Sequence, residues 1–145
     1  GCVGRRSWRE KWQTRVQRWV LVDIDDIDGL DKIDQTVWNE TGTYGLEDVE
    51  VDDSCAIVRT SANGIQIWLK LSLPRYHPAE WYGQSSVRRW YRNLGEKLLG
   101  HLRENGAEGG HVDMSACAEG RHGRRPGWRI KNGKTFCSRL VYSVG

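Results

Sequence analysis

Part of the chain alternates apolar and polar positions with the period of a β-strand. Between 65 and 72 the pattern is strict. Four aliphatic residues, Ile65, Ile67, Leu69 and Leu71, alternate with Gln66, Trp68, Lys70 and Ser72. The strand-like run "CAIVR" precedes this segment, and an Asn-Gly pair at 63–64 separates the two. We therefore predict strands at about 54–60 and 64–72, joined by a tight turn into a hairpin with one apolar and one mixed face.

The stretch 85–105 has the strongest helical pattern in the chain. An apolar stripe recurs every three or four residues: Val87, Tyr91, Leu94, Leu98 and Leu102. This spacing predicts an amphipathic helix, which Ser85 or Ser86 would cap and which Gly106 would end in the left-handed conformation. Three arginines lie outside the stripe and are interpreted as a solvated face: Arg88, Arg89 and Arg92.

The remaining segments complete an alternating order of strands and helices. A β-rich run at 17–24 precedes a short amphipathic helix predicted over 28–40, with Asp26 or Asp28 as its cap. The acidic stretch that follows is interpreted as a solvated loop, a strand is predicted within 110–117, and a second hairpin around Asn132-Gly133. This order predicts one α+β domain over 1–145, a curved antiparallel sheet with helices packed on one face and the other face left for a ligand.

Composition and charge narrow the function classes. The chain has 145 residues, a net charge of +3 and 28% charged residues, which suits one globular domain and permits an anionic partner. No apolar run approaches the roughly 18–20 residues that span a bilayer, so we expect no membrane partner. Eight tryptophans stand against one phenylalanine. A core position is favoured for any single tryptophan, but eight together indicate that some face a ligand.

The residues that carry chemistry do not group as an enzyme or metal site requires. The four cysteines lack zinc-site spacing, so no metal is expected, and thiols without a disulfide framework favour a reducing, cytoplasmic setting. No Ser/His/Asp or Cys/His grouping and no phosphate-binding loop stands out, although the four histidines are not excluded individually. We therefore predict a non-catalytic protein without a cofactor.

Several motifs occur at spacings that a known family shares. Trp8 lies eleven residues before Trp19, which is the second residue of the "RW" pair at 18–19. The segment "DDSCAIVR" ends at Arg59, and nine residues later "IQIW" ends at Trp68. The element "RRWYRNLGEKL" follows on the long helix. In these spacings the chain resembles the cap-binding translation initiation factor 4E family, well at 54–70, fairly at 8–25 and poorly after 105.

The resemblance implies roles for individual residues. Trp8 would stack on a methylated guanine, Trp68 would pack against its methyl group, and Arg59 would neutralise the phosphates. The family places an acidic residue directly after the stacking tryptophan to accept hydrogen bonds from the guanine edge. Here Arg9 follows, and Glu10 lies one position further on. Three later arginines would hold further phosphates or the next nucleotide: Arg121, Arg124 and Arg125.

The chain also departs from the family pattern. The family's lysines after the phosphate-binding arginine are replaced by "TSANG", and its opening strands, with a second stacking tryptophan and a tryptophan that docks the scaffold factor, have no counterpart before Trp8. The missing wall of the site would come from Trp12, Trp81 or Trp128, or from a second polypeptide that supplies the missing strands.

These observations together predict a protein that binds an RNA cap or a guanine nucleotide and acts in translation initiation or its regulation. A translation scaffold protein is a further partner that the resemblance implies. Two alternatives stay open. One is a scaffold or regulatory protein of the same fold without cap binding. The other is a sequence-tolerant single-stranded RNA binder that uses tryptophan stacking and arginine contacts.

Overall fold

The computed structural model describes residues 14–78, 84–117, 127–131 and 134–144. In these ranges the elements are, in chain order, β1 (Thr14–Asp28), α1 (Gln35–Gly42), β2 (Val49–Glu50), β3 (Ala56–Ser61), β4 (Gly64–Pro78), α2 (Ser85–Glu104), β5 (Glu108–Val112), β6 (Gly127–Lys131) and β7 (Lys134–Ser143). Two short 3₁₀ turns, Leu30–Lys32 and Met114–Ala116, lie between them.

The strands form an antiparallel sheet in the order β5-β1-β4-β3-β7-β6, and the two-residue β2 pairs with β4 beside that path. Every pairing in the described residues is antiparallel. The sequence prediction of an α+β domain with an antiparallel sheet is therefore confirmed. The long strands β1 and β4 pair from Ile24 opposite Ile65 to Thr14 opposite Pro78, with an irregularity between Gln17 and Trp19.

One face of the sheet carries the hydrophobic core. Alternate residues of β1 and β4 are fully or almost fully buried there and form one cluster with both helices. The hydroxyl of Tyr91, in α2, donates a hydrogen bond to the carbonyl oxygen of Leu21 at 2.7 Å and accepts one from the backbone N–H of Asp23 at 3.4 Å. Burial raises the pKa of this tyrosine. The two helices thus cover one face of the sheet, here called the helix face, and the opposite surface is called the distal face.

The helix predicted over 28–40 is wrong in its extent. Gly29 has a φ of +78° and begins a 3₁₀ turn, and α1 starts only after Asp34, whose side chain accepts a hydrogen bond from the backbone N–H of Val37 at 3.1 Å. The aspartates predicted as caps, Asp26 and Asp28, lie within β1. The reason is that β1 continues as far as Asp28 by pairing with β5, a partner about eighty residues away in sequence.

The predictions for the other elements fare better. Helix α2 spans Ser85–Glu104, although Gln84 is its N-cap and no side chain caps it. Gly106, just beyond the helix, has the expected positive φ of +113°. The strand predicted at 110–117 covers Glu108–Val112 and is followed by a 3₁₀ turn.

Both predicted hairpins are present. Strands β3 and β4 pair with Ala56 opposite Trp68, and β6 and β7 pair with Lys131 opposite Lys134. Among the helices in the described ranges, none has the length and apolar character needed to cross a membrane.

Candidate nucleic-acid interface

Arg59 lies on the helix face of the sheet. It pairs with the fully buried Ile65, and its side chain is 2% exposed. Its Nη1 donates to Oδ1 of Asp31 at 2.7 Å, and its Nη2 donates to the carbonyl oxygen of Ala62 at 3.2 Å. The hydrogen bond and the positive charge of Arg59 lower the pKa of Asp31. The expectation that Arg59 stands with Trp68 on an exposed face is therefore wrong, because Arg59 has the same strand parity as the core residue Ile57.

Trp68 lies on the distal face and has a second tryptophan as its neighbour. It is half-buried and opposite Leu21, while Trp19 is 43% exposed and opposite Lys70. Trp68 lies two positions before Lys70 on β4, and Lys70 is the direct partner of Trp19. Trp19 and Trp68 are therefore diagonal cross-strand neighbours. Such neighbours are about 7–8 Å apart at the backbone, within reach of large aromatic side chains. The register therefore places the two indoles at neighbouring positions on the distal face.

Lys70 lies beside both tryptophans and is held by acidic residues. Its Nζ contacts a carboxylate oxygen of Asp52 at 2.5 Å and one of Glu50 at 4.0 Å. The hydrogen bond from Lys70, together with those from Ser54, lowers the pKa of Asp52 to about 2, and the same contact with Asp52 raises the pKa of Lys70. The ammonium is thus already neutralised locally and is poorly suited to binding phosphate.

Glu50 extends the same surface by one strand. It pairs with Lys70 across β2 and β4, so its side chain lies on the distal face, and the carboxylate is 52% exposed. Its nearest cation in the described part of the chain is 4.0 Å away, a weak ion pair. Trp19, Lys70 and Glu50 therefore lie side by side across three strands, with Trp68 adjacent. We call these four residues the Trp19–Trp68 surface.

The sequence pattern did not indicate three members of this surface as site residues: Trp19, Lys70 and Glu50. Trp19 enters the sequence expectation only through the spacing of the "RW" motif, Lys70 only as a polar position of the strand pattern, and Glu50 as part of a solvated acidic loop. The β-rich run around Trp19 was a usable signal, because Val20 and Val22 have the parity of a core face and leave Trp19 on the other. No local signal marks Glu50, since β2 is only two residues long.

The distal face is not free over its whole area, contrary to the sequence expectation. Six of its residues are buried: Leu21, Asp23, Val58, Thr60, Gln66 and Ser138. Accessible side chains lie at the Trp19–Trp68 surface and at Leu140, which is exposed on β7. A ligand of this face is therefore expected at the end where β1, β4 and β2 meet.

Three carboxylates also converge near the other end of β1. Asp23, Asp25 and Asp113 place oxygen atoms within 4.8 Å of one another, a donor type that hard cations such as Ca²⁺ and Mg²⁺ prefer. Asp23 accepts a hydrogen bond from Gln66 at 3.3 Å, and Asp113 accepts from the N–H and hydroxyl of Ser115. All three carboxylates have additional polar or electrostatic contacts. The cluster therefore has structural partners and gives no independent sign of a metal.

The other residues named by the resemblance lie outside the described residues. These are Trp8, Glu10, Arg121, Arg124 and Arg125, together with the alternative aromatic residues Trp12 and Trp81. The third alternative, Trp128, lies on β6 opposite Cys137. Of the predicted site residues that the structure describes, Trp68 lies on the distal face and Arg59 lies on the helix face, so the two are on opposite sides of the sheet.

No protein-family model, no curated protein and no solved structure matches this chain. Its function is accordingly inferred from the Trp19–Trp68 surface.

Proposed function

We propose that this protein is a non-catalytic RNA-binding protein that stacks a guanine base on Trp19 and Trp68, with the methylated guanine of an RNA cap as the preferred ligand. The observation that carries the proposal is the diagonal pair of accessible indoles on one sheet face. Stacking of a base on an aromatic side chain contributes about 1–3 kcal/mol. A role in translation initiation or its regulation follows from the cap as ligand.

The acidic residue beside the indoles supports guanine over other bases. The Watson–Crick edge of guanine carries two N–H donors, and the exposed carboxylate of Glu50 is an acceptor at the margin of the aromatic surface. A methylated guanine also carries a positive charge. This charge gains cation–π energy from an indole and Coulomb attraction from Glu50.

Among the described residues of this surface, none is a strong partner for the phosphates of the nucleotide. Arg59 is buried in its pair with Asp31, and Lys70 is engaged by Asp52. The proposal therefore assigns the affinity of this surface to the base. A nucleotide's binding should then depend on methylation of the base more than on the number of phosphates.

The test is a titration of the purified protein with methylated and unmethylated guanosine nucleotides by calorimetry. Loss of one stacking partner in Trp19→Ala or Trp68→Ala should weaken binding by roughly 5- to 150-fold, the equivalent of 1–3 kcal/mol. Tyr44→Ala is the matched control, since Tyr44 is an exposed aromatic residue that packs on His101 of α2. Glu50→Gln should reduce the preference for the methylated base.

Two results would overturn the proposal. One is binding that survives both tryptophan substitutions. The other is an absence of nucleotide binding by the wild-type protein at millimolar concentration. If Trp68→Ala unfolds the protein, the more exposed Trp19→Ala still decides the question.

A sequence-tolerant single-stranded RNA binder is the second candidate. The burial of Arg59 favours it, because a surface without a dedicated phosphate clamp accepts any base that stacks. Uncapped oligonucleotides bound as tightly as methylated guanosine nucleotides would select this candidate.

A further inference from the structure

The first half of α2 carries a concentration of unpaired positive charge. Arg89 and Arg92 are exposed and Arg88 is half-buried, and residues 85–95 contain no Asp or Glu. Within the ranges that the structure describes, none of these three guanidinium groups has an ion pair. They differ in this respect from Lys70 and Arg75, both of which contact carboxylates.

The position of these arginines is unfavourable for the helix itself. The N-terminal end of a helix carries a partial positive charge, so cations in its first turns are repelled and acidic residues are normally preferred there. The first turn of α2 holds no acidic residue. Arg88 and Arg92 are also four positions apart, where like charges repel. Features that oppose local stability in this way are expected at functional sites.

The arginines of α2 lie on the helix side of the sheet, opposite the Trp19–Trp68 surface, and Arg75 lies between them at the end of β4. An RNA strand would reach both faces around the edge of β1, which has no strand on its outer side beside Trp19 in the described residues. The guanidinium carbon of Arg75 lies 3.9 Å from the ring centroid of Trp90, which is on α2 between Arg89 and Tyr91. Arg75 is opposite Gln17 on β1, two residues before Trp19, and the irregularity in the β1–β4 pairing lies between these two positions. Its contact with Asp48 is long, at 3.9 Å, which leaves the guanidinium available for a further partner.

We infer that Arg75, Arg88, Arg89 and Arg92 form a second RNA contact, the α2 arginine surface, which binds the phosphates of a strand whose base lies on Trp19 and Trp68. The inference rests on the proposed function for the location of the base, but the unpaired arginines are a separate observation. Guanidinium groups suit phosphate because they donate two parallel hydrogen bonds. A membrane partner is disfavoured, since an interfacial helix presents apolar residues beside its cations and the apolar stripe of α2 is buried.

The experiment compares a methylated guanosine mononucleotide with a capped 20-nucleotide RNA, each titrated at several salt concentrations. The variant is Arg88→Gln/Arg89→Gln/Arg92→Gln. Its affinity for the mononucleotide should stay within twofold of wild type. For the long RNA, the slope of log affinity against log salt should become shallower by about 2, since each phosphate contact on a single strand contributes about 0.7. The thermal midpoint should equal or exceed that of wild type, because charge repulsion is removed.

The control is Lys32→Gln/Lys97→Gln/Arg139→Gln, which removes the same net charge from exposed positions outside the first half of α2. An equal loss of long-RNA affinity in this control would overturn the inference, because net charge would then explain the effect. An unchanged salt slope in the arginine variant would also overturn the inference. If the wild-type protein still binds the mononucleotide in that case, the proposed function stands.

Two further outcomes separate the inference from the proposed function. In the first, the wild-type protein binds the long RNA through the arginines but does not bind the mononucleotide. This result would support the arginine surface and overturn the stacking site. Binding of polyglutamate or of vesicles rich in phosphatidylserine at the affinity of the long RNA, and its loss in the variant, would overturn RNA as the ligand of these arginines.

Discussion

Nη1 of Arg59 lies 2.7 Å from Oδ1 of Asp31 and ties the β3–β4 hairpin to the connection between β1 and α1. Asp31 is itself 86% exposed, so the pair joins a buried cation to a solvated carboxylate. Arg139, opposite Arg59 on β7, adds positive charge that also lowers the pKa of Asp31. The 3₁₀ turn that holds Asp31 begins after Gly29, where a Cβ would meet the carbonyl oxygen of Gly106 at 2.7 Å. These contacts give Arg59 a structural role.

Substitution of Arg59 should therefore reduce stability and leave ligand binding unchanged. Arg59→Met keeps an apolar stem of similar length but loses the hydrogen bonds to Asp31 and Ala62, with an expected cost of about 1–3 kcal/mol. Arg59→Ala also loses packing and should cost more, about 2–5 kcal/mol. Urea unfolding measures both. A tenfold loss of nucleotide affinity in folded Arg59→Met would contradict the structural role and return Arg59 to the binding site.

Two glycines within α2 should respond in opposite directions to alanine. At Gly100 a Cβ meets nothing within 4 Å, so Gly100→Ala should stabilise the protein by about 0.5–1 kcal/mol through helix propensity. At Gly95 a Cβ would lie 2.7 Å from Cγ2 of Val112 on β5, and overpacking of this kind costs about 1–3 kcal/mol. Thermal unfolding of the two variants is the measurement. Val112→Ala should partly rescue Gly95→Ala, and equal stabilisation by both alanines would show that α2 and β5 pack less closely.

Arg103 should stabilise β5 against local opening. Its Nε donates to the carbonyl oxygen of Gly109 at 2.7 Å and its Nη2 to that of Gly110 at 2.9 Å, and both glycines have positive φ values. Arg103→Gln removes this paired contact and should lower stability by about 0.5–1.5 kcal/mol. Amide hydrogen exchange should then accelerate in β5 before it changes in β4. Unchanged exchange in β5 would show that pairing with β1 alone holds this strand.

Local periodicity was sufficient for the elements whose partners are close in sequence. The β3–β4 hairpin and α2 follow from alternation and from the apolar stripe, because their own residues determine which face is buried. The segment 28–40 has helical spacing as well, yet Asp25–Asp28 joins β1 because β5 pairs there. That choice depends on a contact across the whole domain, which no local window contains.

The same distinction explains the candidate site. Alternation alone puts Trp68 on the distal face, and counting by twos from Ile57 puts Arg59 on the helix face. The neighbourhood of Trp19, Trp68 and Glu50 requires the register of β1, β4 and β2 together. Spacing within the chain carries no information on that register, so the motif spacings could not place Trp19 and Glu50 beside Trp68.

The contact between Asp52 and Lys70 predicts a specific dependence of stability on pH. The hydrogen bond from Lys70 and those from Ser54 lower the pKa of Asp52 to about 2 in the folded protein. In the unfolded chain the pKa of an aspartate is about 3.9. Between these values the unfolded chain binds more protons than the folded one. The contribution of Asp52 is therefore fully present above about pH 4 and is lost as the pH falls towards 2.

Asp52→Asn should accordingly be less stable than wild type at pH 6, and the difference between their urea midpoints should vanish near pH 2. Lys70→Met is the matching control, because it removes the largest cause of the lowered pKa. In that background Asp52→Asn should have a smaller effect with a weaker pH dependence. A midpoint difference that stays constant from pH 6 to pH 2 would mean that Asp52 and Lys70 do not form this contact in solution. Lys70 would then keep only its 4.0 Å contact with Glu50, and the ammonium beside Trp19 would be available to phosphate after all.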